Sequence, residues 1–397
     1  MLIKRRDFLQ IGSLASASLF LPKFLKAVGK ENLVPPGNKV LVVLQFSGGN
    51  DGLNTVIPVR NDIYFKGRPG LGIQRNMALP LNDDAGLHPS LTCFKELFDE
   101  GSLGILNSVG YPNPDHSHFR SMDIWQTGSD SNEYLNTGWV GRYLDAQCED
   151  CSHPTQALEI DDLLSPALKG DKIKGMALTD PKKLFNNTNE KYFRQINAAH
   201  ESGDASSDYL YKILNETLDS ADYIYQQSNS YHSSATYPNT VIGKNFRTIA
   251  SLILSDINTK VYYVSLGSFD THVAQAGQQQ RLFTELNDAI KPFVADLKNN
   301  HRFEDVVLMT FSEFGRRVSQ NASAGTDHGT ANCMFLIGGG LKQKGLINDM
   351  PDLSDLDNGD LKFKVDFKSV YATMLHNWLG ADEQKIMGRS FPLLKFV

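Results

Sequence analysis

Five short apolar runs recur along the chain, each bounded by glycine or by polar residues. A continuous apolar run of this length, rich in Val, Leu and Ile, is typical of a strand that is buried on both faces. The pattern therefore predicts five central strands, which cover Lys39–Phe46, Leu103–Val109, Val261–Leu266, Asp305–Thr310 and Ala331–Ile337.

Segments with apolar residues at helical spacing alternate with these runs, at Ser90–Glu100, Gln279–Asn299 and Phe367–Leu379. Alternating strands and helices form a mostly parallel sheet that helices cover on both faces, so the predicted fold class is α/β. Ligands of such sheets bind at the carboxyl ends of the strands. A functional site is therefore expected at that edge.

The stretch 152–240 departs from this alternation. It is polar, contains a helical pattern at Asp208–Gln227 and ends in a segment rich in Ser, Asn and Tyr. We predict that it is an insertion that forms a cap over the sheet. Two interpretations of its tyrosines stay open, ordinary packing of the cap or a glycan- or protein-binding surface. The tyrosines are Tyr209, Tyr211, Tyr223, Tyr225, Tyr231 and Tyr237.

The N-terminus carries Lys4-Arg5-Arg6-Asp7-Phe8-Leu9, followed by a weakly apolar stretch over residues 11–21. Paired arginines before a short apolar run are typical of a twin-arginine (Tat) export signal, although an ordinary N-terminal helix can also carry Arg-Arg. We predict a Tat signal peptide over residues 1–27, a linker over 28–38 and one main domain over 39–397. The Tat export machinery carries folded proteins, often with a cofactor in place, so the mature protein is expected in the periplasm or outside a bacterial cell.

Composition and charge narrow the classes of partner. Of the 397 residues, 41% are hydrophobic and 21% are charged, which is an ordinary globular balance. The net charge of -6, without a basic block or stripe, argues against a nucleic-acid partner. No second apolar stretch approaches membrane-spanning length, so the exported protein is not expected to be an integral membrane protein.

The four cysteines include one closely spaced pair, Cys148 and Cys151, whereas Cys93 and Cys333 are isolated. No second Cys-x-x-Cys pair exists to complete a four-cysteine zinc site. In an exported protein the pair predicts a small disulfide, with free thiols or redox or metal chemistry as alternatives.

Polar residues cluster next to all five predicted strands. Asn50 and Asp51 follow the first strand and His116–Arg120 follows the second. Asp270–His272 and Ser312–Arg317 follow the third and fourth strands, and Thr326–Gly329 precedes the fifth. These segments are expected to converge on one edge of the sheet.

Carboxylates and imidazoles together are the ligands of borderline and hard divalent cations. We predict that one or two divalent ions, such as zinc, manganese or calcium, bind at this edge. Each residue also has a structural interpretation, as a turn residue, a helix cap or the partner of an arginine. The predicted metal ligands are Asp51, Asp270, His272, Glu313, Asp327 and His328.

The second loop supplies a predicted nucleophile, Ser117, at the start of a helix, where the backbone stabilises an anion. Ser117 can instead be only an N-cap, in which case a metal-activated water replaces it. His118, Arg120 and Arg316 are predicted to stabilise the charged group that is transferred.

Several motifs together resemble the exported DUF1501 family, and the resemblance covers nearly the whole chain after the signal. That family is similar to the sulfatase and alkaline phosphatase superfamily, which implies an alkaline phosphatase-like three-layer sandwich. The motifs are Phe46-Ser-Gly-Gly-Asn-Asp-Gly-Leu-Asn-Thr55, Ser117-His-Phe-Arg120, Thr137-Gly-Trp-Val-Gly-Arg-Tyr-Leu144, Ser268-Phe-Asp-Thr-His272, Phe311-Ser-Glu-Phe-Gly-Arg316 and Gly325-Thr-Asp-His-Gly329.

The resemblance implies roles for individual residues. Asp51 matches the metal-binding Asp after the first strand, and either Ser117 or His118 matches the superfamily's nucleophile. Asp270 and His272 match an Asp and a His with which a later strand of the superfamily ends and which bind the second ion, and His328 matches a last histidine that precedes the final core strand. Ser312-Glu313 stands where relatives have Asp-His, and the sulfatase motif Cys-x-Pro-Ser-Arg does not occur, so a formylglycine mechanism is not implied.

These observations support two hypotheses about function. The first is an exported metal-dependent hydrolase of phosphate or sulfate esters, acting on a small-molecule or glycan ester. The second is a non-catalytic exported binding or assembly protein on the same scaffold, motivated by the replacement of Asp-His by Ser312-Glu313. Bound metal with ester turnover favours the first hypothesis, whereas tight binding without turnover favours the second.

Overall fold

A computed structural model describes residues 38–147, 154–190, 192, 193, 195, 205–231 and 233–397. The predicted Tat signal, nearly all of the predicted linker, and Cys148 and Cys151 lie outside the described residues. Cys93 and Cys333 are buried free thiols.

Strands occur at all five predicted positions, within a residue or two of the predicted bounds. The strands are β1 (Val40–Phe46), β2 (Val56–Ile57), β3 (Leu79–Pro80), β4 (Gly86–Leu87), β5 (Leu103–Gly110), β6 (Ala157–Glu159), β7 (Met176–Ala177), β8 (Val261–Leu266), β9 (Val306–Phe311), β10 (Asn332–Ile337), β11 (Gly345–Leu346), β12 (Leu356–Asp357), β13 (Asp360–Leu361) and β14 (Val365–Asp366).

Helices connect several of these strands, and the last predicted helix continues beyond Thr373 as a π-helix over Met374–Trp378. The α-helices are α1 (Gly52–Thr55), α2 (Asp62–Gly67), α3 (Thr92–Asp99), α4 (His118–Thr127), α5 (Trp139–Ala146), α6 (Pro181–Thr188), α7 (Ala205–Ser228), α8 (Val241–Leu254), α9 (Gln275–Asn299), α10 (Phe367–Thr373) and α11 (Glu383–Met387).

The central sheet has the order β11-β5-β10-β9-β1-β8-β6-β7, with β14 also paired to β5. The predicted mostly parallel sheet is confirmed, since β1 pairs in parallel with both β8 and β9. The fifth predicted strand, β10, is antiparallel to β5 and β9. Its N-terminus therefore lies at the same edge as the carboxyl ends of β1, β8 and β9, which brings the segment before β10 to that edge.

Alternate residues of β1 face two different cores, as expected for a strand covered on both sides. Val40, Val42 and Leu44 pack with apolar residues of α3, α8 and α9. Leu41 and Val43 pack on the other face with residues of α4, α5, α10 and α11. The molecule is thus a three-layer arrangement of helices, sheet and helices.

The segment predicted as an inserted cap differs from that expectation in its first part. β6 pairs in parallel with β8, and β7 pairs in parallel with β6, so both strands extend the main sheet. Only two or three residues of each strand pair, which explains why no long apolar run marks them. The helices α6 and α7 follow, and α7 contacts α8.

Within the described residues, no helix combines the length and the apolar character that crossing a membrane requires.

Trp125 of α4 provides a test of this packing. It is 1% exposed and its ring stacks on Phe311 and Phe367, with ring centroids 5.2 Å and 4.2 Å away. We expect Trp125→Ala to lower the free energy of unfolding by about 3–5 kcal/mol, because it leaves a large cavity. Met77 is 59% exposed, and Met77→Ala should change stability by less than about 0.5 kcal/mol. Chemical denaturation measures both free energies of unfolding. Equal losses in the two variants would contradict the packing described for Trp125.

Candidate metal centre

The loop after β1 approaches two other loops so closely that only glycine fits. Gly48 has a φ of +118°, and a Cβ there would lie 2.4 Å from the Asp270 backbone nitrogen. Gly49 has a φ of +75°, and a Cβ there would lie 2.2 Å from the Phe314 ring. L-residues with side chains rarely adopt this part of φ/ψ space. The two glycines therefore allow the loops after β1, β8 and β9 to contact one another.

A buried arginine joins these loops. Arg316 is 1% exposed, and its guanidinium donates a hydrogen bond to the Asp270 carboxylate at 2.9 Å. Its other hydrogen bonds go to the backbone carbonyls of Gly48, Gly49, Phe269 and Thr326. All three guanidinium nitrogens are thus used within the protein, and Arg316 is not available to bind a substrate.

Four side chains from three separate segments converge at this edge of the sheet, since Asp270 and His272 share the loop after β8. The metal-ligating atoms of His118, Asp270 and His328 all lie within 4.8 Å of one another. His272 Nε2 joins them, at 2.9 Å from His328 Nε2 and 3.2 Å from Asp270 Oδ1. We call these four residues the His3Asp cluster.

The other ring nitrogen of each histidine in the cluster has a fixed acceptor. His118 Nδ1 lies 2.9 Å from Glu313 Oε1, and His272 Nδ1 lies 3.4 Å from Asp327 Oδ1. His328 Nδ1 lies 2.7 Å from the carbonyl oxygen of His116. A carboxylate or a carbonyl can only accept, so each Nδ1 carries the hydrogen, and a ring in its neutral form presents a lone pair at Nε2.

Three lone pairs and a carboxylate that point at one another repel unless a positive charge lies between them. His118 Nε2 is buried and has no hydrogen-bond partner among the described residues, and it lies 3.6 Å from Asp270 Oδ2. An unpaired buried nitrogen costs free energy. The donor set and this unpaired nitrogen both fit a bound cation.

The spacing of the atoms agrees with a small transition-metal ion. Zn–N and Zn–O bonds of about 2.0–2.1 Å in a tetrahedron place the ligand atoms about 3.3 Å apart. His328 Nε2 lies 2.9 Å from His272 Nε2, and the Asp270 oxygens lie 3.2, 3.4 and 3.6 Å from the Nε2 atoms of His272, His328 and His118. Hydrogen bonds from second residues to ligating histidines are the usual way in which proteins orient such ligands.

Local electrostatics set the charges of the cluster. The hydrogen bond with Glu313 raises the pKa of His118, whereas burial lowers the pKa of His328. Burial raises the pKa of Asp270, but the hydrogen bond and charge of Arg316 outweigh it and hold that pKa below its ordinary value. Asp270 is therefore ionised and His328 is neutral at pH 7, which are the forms that bind a metal.

The structure divides the predicted metal ligands into groups. Asp270, His272 and His328 belong to the His3Asp cluster, together with His118, which the sequence suggested as a stabilising group. The carboxylates of Glu313 and Asp327 instead contact the Nδ1 atoms of His118 and His272.

Asp51 lies in a different network. Its carboxylate pairs with Arg68 at 2.5 Å in a fully buried ion pair and accepts a hydrogen bond from Gln275. It also caps α1, by accepting hydrogen bonds from the backbone of Leu53 and Asn54. Both oxygens are engaged, so we leave Asp51 out of the ligand set that we propose.

Two predicted catalytic residues have unexpected surroundings. Arg120 pairs with Asp123, donates to the carbonyls of residues 130, 131 and 133, and lies over the Tyr134 ring. It therefore anchors the chain after α4. Ser117 is exposed at the N-cap of α4, and its hydroxyl makes no capping hydrogen bond.

Asp360 is a residue of this region that the sequence did not predict. It is buried, and it contacts His116 Nε2 at 2.9 Å, while the His116 carbonyl accepts from His328 Nδ1. Asp360 thereby holds the loop that orients a cluster histidine. His116 lies in the polar segment after the second predicted strand, but Asp360 lies among other acidic residues, with no pattern to distinguish it.

The position of Asp51 gives a prediction. Asp51→Asn removes the charge that compensates buried Arg68, so we expect it to lower the free energy of unfolding by about 3–5 kcal/mol. Metal content per folded molecule should stay unchanged. Denaturation and elemental analysis of the folded fraction measure the two effects, and loss of metal from folded protein would restore Asp51 as a ligand.

The Glu313–His118 contact gives a second prediction. Glu313→Gln should weaken metal binding about 10–100-fold, the usual effect of losing a residue that orients a ligand. Glu285→Gln is the matched control, because Glu285 lies on α9 and pairs with Arg281. Competition with a metal chelator measures affinity, while circular dichroism checks the fold. Equal affinities in the two variants would contradict the orienting role of Glu313.

Solved structures with a similar chain course come from several enzymes. The lipoteichoic acid synthase LtaP from Listeria monocytogenes is 10% identical, with a TM-score of 0.39, over 98% of this chain and 81% of that chain. The PsFucS1 sulfatase from Pseudoalteromonas sp. is 12% identical, with a TM-score of 0.36, over 99% of this chain and 74% of that chain. A protein in the alkaline phosphatase superfamily from Vibrio parahaemolyticus is 11% identical, with a TM-score of 0.37, over 98% of this chain and 78% of that chain.

A comparison with curated proteins gives no match. The family comparison does give one, and it spans residues 38–393, which include all the segments that form the His3Asp cluster. The resemblance carried by the sequence motifs is confirmed: the chain belongs to the family described as "Protein of unknown function (DUF1501)".

Proposed function

We propose that this protein is an exported, metal-dependent hydrolase of phosphate or sulfate esters. The observation that carries the proposal is the geometry of the His3Asp cluster. The Nδ1 atom of each histidine contacts a hydrogen-bond acceptor, and each Nε2 atom lies within 3.6 Å of an Asp270 carboxylate oxygen. The cluster lies at the carboxyl edge of a mostly parallel sheet, where such folds bind their ligands. Export rests on the Tat motif at Arg5-Arg6.

His118, Asp270, His272 and His328 would hold the ion. Three imidazoles favour zinc over manganese and calcium, which prefer oxygen ligands. When bound, a divalent ion supplies positive charge that polarises a phosphoryl or sulfuryl oxygen and favours attack on the phosphorus or sulfur. Glu313, Asp327 and the His116 carbonyl keep the three rings oriented, and Arg316 keeps Asp270 in place.

Two nucleophiles are compatible with this arrangement. Ser117 immediately precedes His118 and is exposed at the N-terminus of α4, where the helix dipole stabilises an oxyanion. Among the described residues, however, no base contacts its hydroxyl. A water molecule at the site is the other nucleophile. With water, its oxygen bonds to the phosphorus or sulfur, the ester bond breaks and the alcohol leaves with a proton from that water. With Ser117, the alcohol leaves with the hydroxyl proton, and water then hydrolyses the seryl ester and restores the serine.

A non-catalytic binding protein on the same scaffold is the second candidate. The observation that favours it is that the terminal guanidinium nitrogens of Arg120 and Arg316 hold the chain, through hydrogen bonds to backbone carbonyls and to Asp123 and Asp270. These nitrogens are therefore not free to stabilise a transferred phosphate or sulfate. A hydrolase on this scaffold would need another group for that role.

The proposal predicts that His272→Ala and His328→Ala each lose bound metal and at least about 100-fold of ester hydrolysis, because each removes one ligand. Elemental analysis of protein purified after export measures the metal. Turnover of aryl phosphate monoesters, aryl phosphate diesters and aryl sulfates measures the activity. His301→Asn is the control, since His301 is exposed and lies outside the cluster.

Each result has a distinct meaning. Metal that is lost only in the cluster variants, together with turnover, supports the hydrolase. Metal without any turnover points to the binding protein. Protein that binds no zinc or manganese even after incubation with these ions contradicts both the cluster assignment and the hydrolase. Ser117→Ala with unchanged turnover assigns the attack to water.

A further inference from the structure

A second cavity lies away from the His3Asp cluster, in the segment that the sequence marked as an insertion and in the helix after it. Its volume is about 790 Å³, within the range of about 300–1,000 Å³ that is usual for ligand sites. Its walls come from the start of α6, the end of α7 with the following turn, and α8 from Val241 to Ser251. None of these elements contributes to the cluster.

The charge of this cavity is opposite to that of the chain. Four basic side chains line it, and Asp180 is the one acidic residue in its lining. The carboxylate of Asp180 caps α6 by accepting from the Lys183 backbone. The chain as a whole has a net charge of -6, so this concentration of positive charge is local. The basic residues are Lys182, Lys183, Lys244 and Arg247.

These four cations are not used to hold the fold. All four are exposed, and among the described residues none of them forms an ion pair with a carboxylate. Elsewhere on the surface, lysines and arginines such as Lys291 and Arg281 do pair with nearby glutamates. Unpaired cations that line one concave surface attract an anionic ligand and raise its local concentration.

The rest of the lining is aromatic or neutral and polar. Tyr225 is held by stacking on Phe185, with ring centroids 4.2 Å apart, and Tyr231 accepts a hydrogen bond from Asn300. Both tyrosines line the cavity, together with hydroxyl and amide groups from Ser228, Asn229, Asn245, Thr248 and Ser251. Aromatic faces suit the C–H faces of sugar rings, and hydroxyl and amide groups suit sugar hydroxyls.

A nucleic acid fits these observations less well. Binding of a nucleic acid backbone depends on neutralising several phosphates along an extended basic track. The basic side chains here lie around one cavity on an acidic protein. A small inorganic anion would leave the rings of the two tyrosines without a ligand group to contact.

We propose that this cavity binds an anionic saccharide, a sugar chain that carries sulfate, phosphate or carboxylate groups. The cations pair with the acidic groups, and Tyr225 and Tyr231 contact the sugar rings. This assignment does not rest on the proposed hydrolase activity, since the cavity and the His3Asp cluster share no residue.

The test uses the exported protein and fluorescently labelled dextran sulfate as the probe. We expect Lys182→Gln/Lys183→Gln/Lys244→Gln/Arg247→Gln to weaken binding at least about 10-fold and to reduce its salt dependence. The matched control is Lys66→Gln/Lys342→Gln/Lys344→Gln/Lys364→Gln, which removes the same charge from exposed positions outside the cavity. Equal affinity of the two variants would overturn the proposal.

Two further comparisons separate a saccharide from other anions. Polyglutamate and single-stranded DNA should bind at least about 10-fold more weakly than dextran sulfate, and equal binding would overturn the saccharide assignment. Tyr231→Phe, which keeps the ring, should bind dextran sulfate as the unaltered protein does, whereas Tyr231→Ala should bind it several-fold more weakly. His272→Ala and His328→Ala should leave this binding unchanged, so its outcome is independent of the hydrolase test.

Discussion

The candidate metal centre depends above all on the hydrogen bonds of the buried guanidinium of Arg316. This one side chain bonds to the loops after β1 and β8 and to the segment before β10, and it lies itself in the loop after β9. A buried charge of this kind is stable only when it is paired and its donors are all satisfied. Asp270 supplies the opposite charge, and four carbonyls satisfy the remaining donors. The need to compensate one buried charge thus fixes the relative positions of four loops, and the cluster forms where they meet.

Much of this arrangement could be predicted from local patterns. The apolar runs identified the central strands, since a strand covered on both faces has no polar alternation to obscure it. The placement of Asp270, His272 and His328 beside strand ends correctly brought them together. The short strands β6 and β7 could not be predicted, because two or three residues carry no periodicity. The antiparallel direction of β10 was equally invisible, although it is the reason that His328 reaches the same edge as Asp270.

The sequence also could not predict which polar residues belong to the His3Asp cluster and which residues orient it. Glu313, Asp327 and Asp51 are all carboxylates beside strands, yet two of them contact imidazole Nδ1 atoms and the third pairs with Arg68. Which role each takes depends on distances between loops that are far apart in the chain. Arg120 illustrates the same limit: its place beside Ser117 suggested a bond to substrate, but the carbonyls that it satisfies belong to a turn about ten residues later.

The loops that meet at the edge where β10 begins come from distant parts of the chain, and this constrains the order in which the molecule folds. The contacts that build the cluster join residues far apart in sequence, such as Gly48 and Glu313, separated by 265 residues, and His116 and His328, separated by 212. Contacts of such long range form slowly, because loop-closure entropy opposes them until most of the chain is in place. The four side chains of the His3Asp cluster therefore come together only when the central sheet is nearly complete. Metal loading would then report that folding has finished.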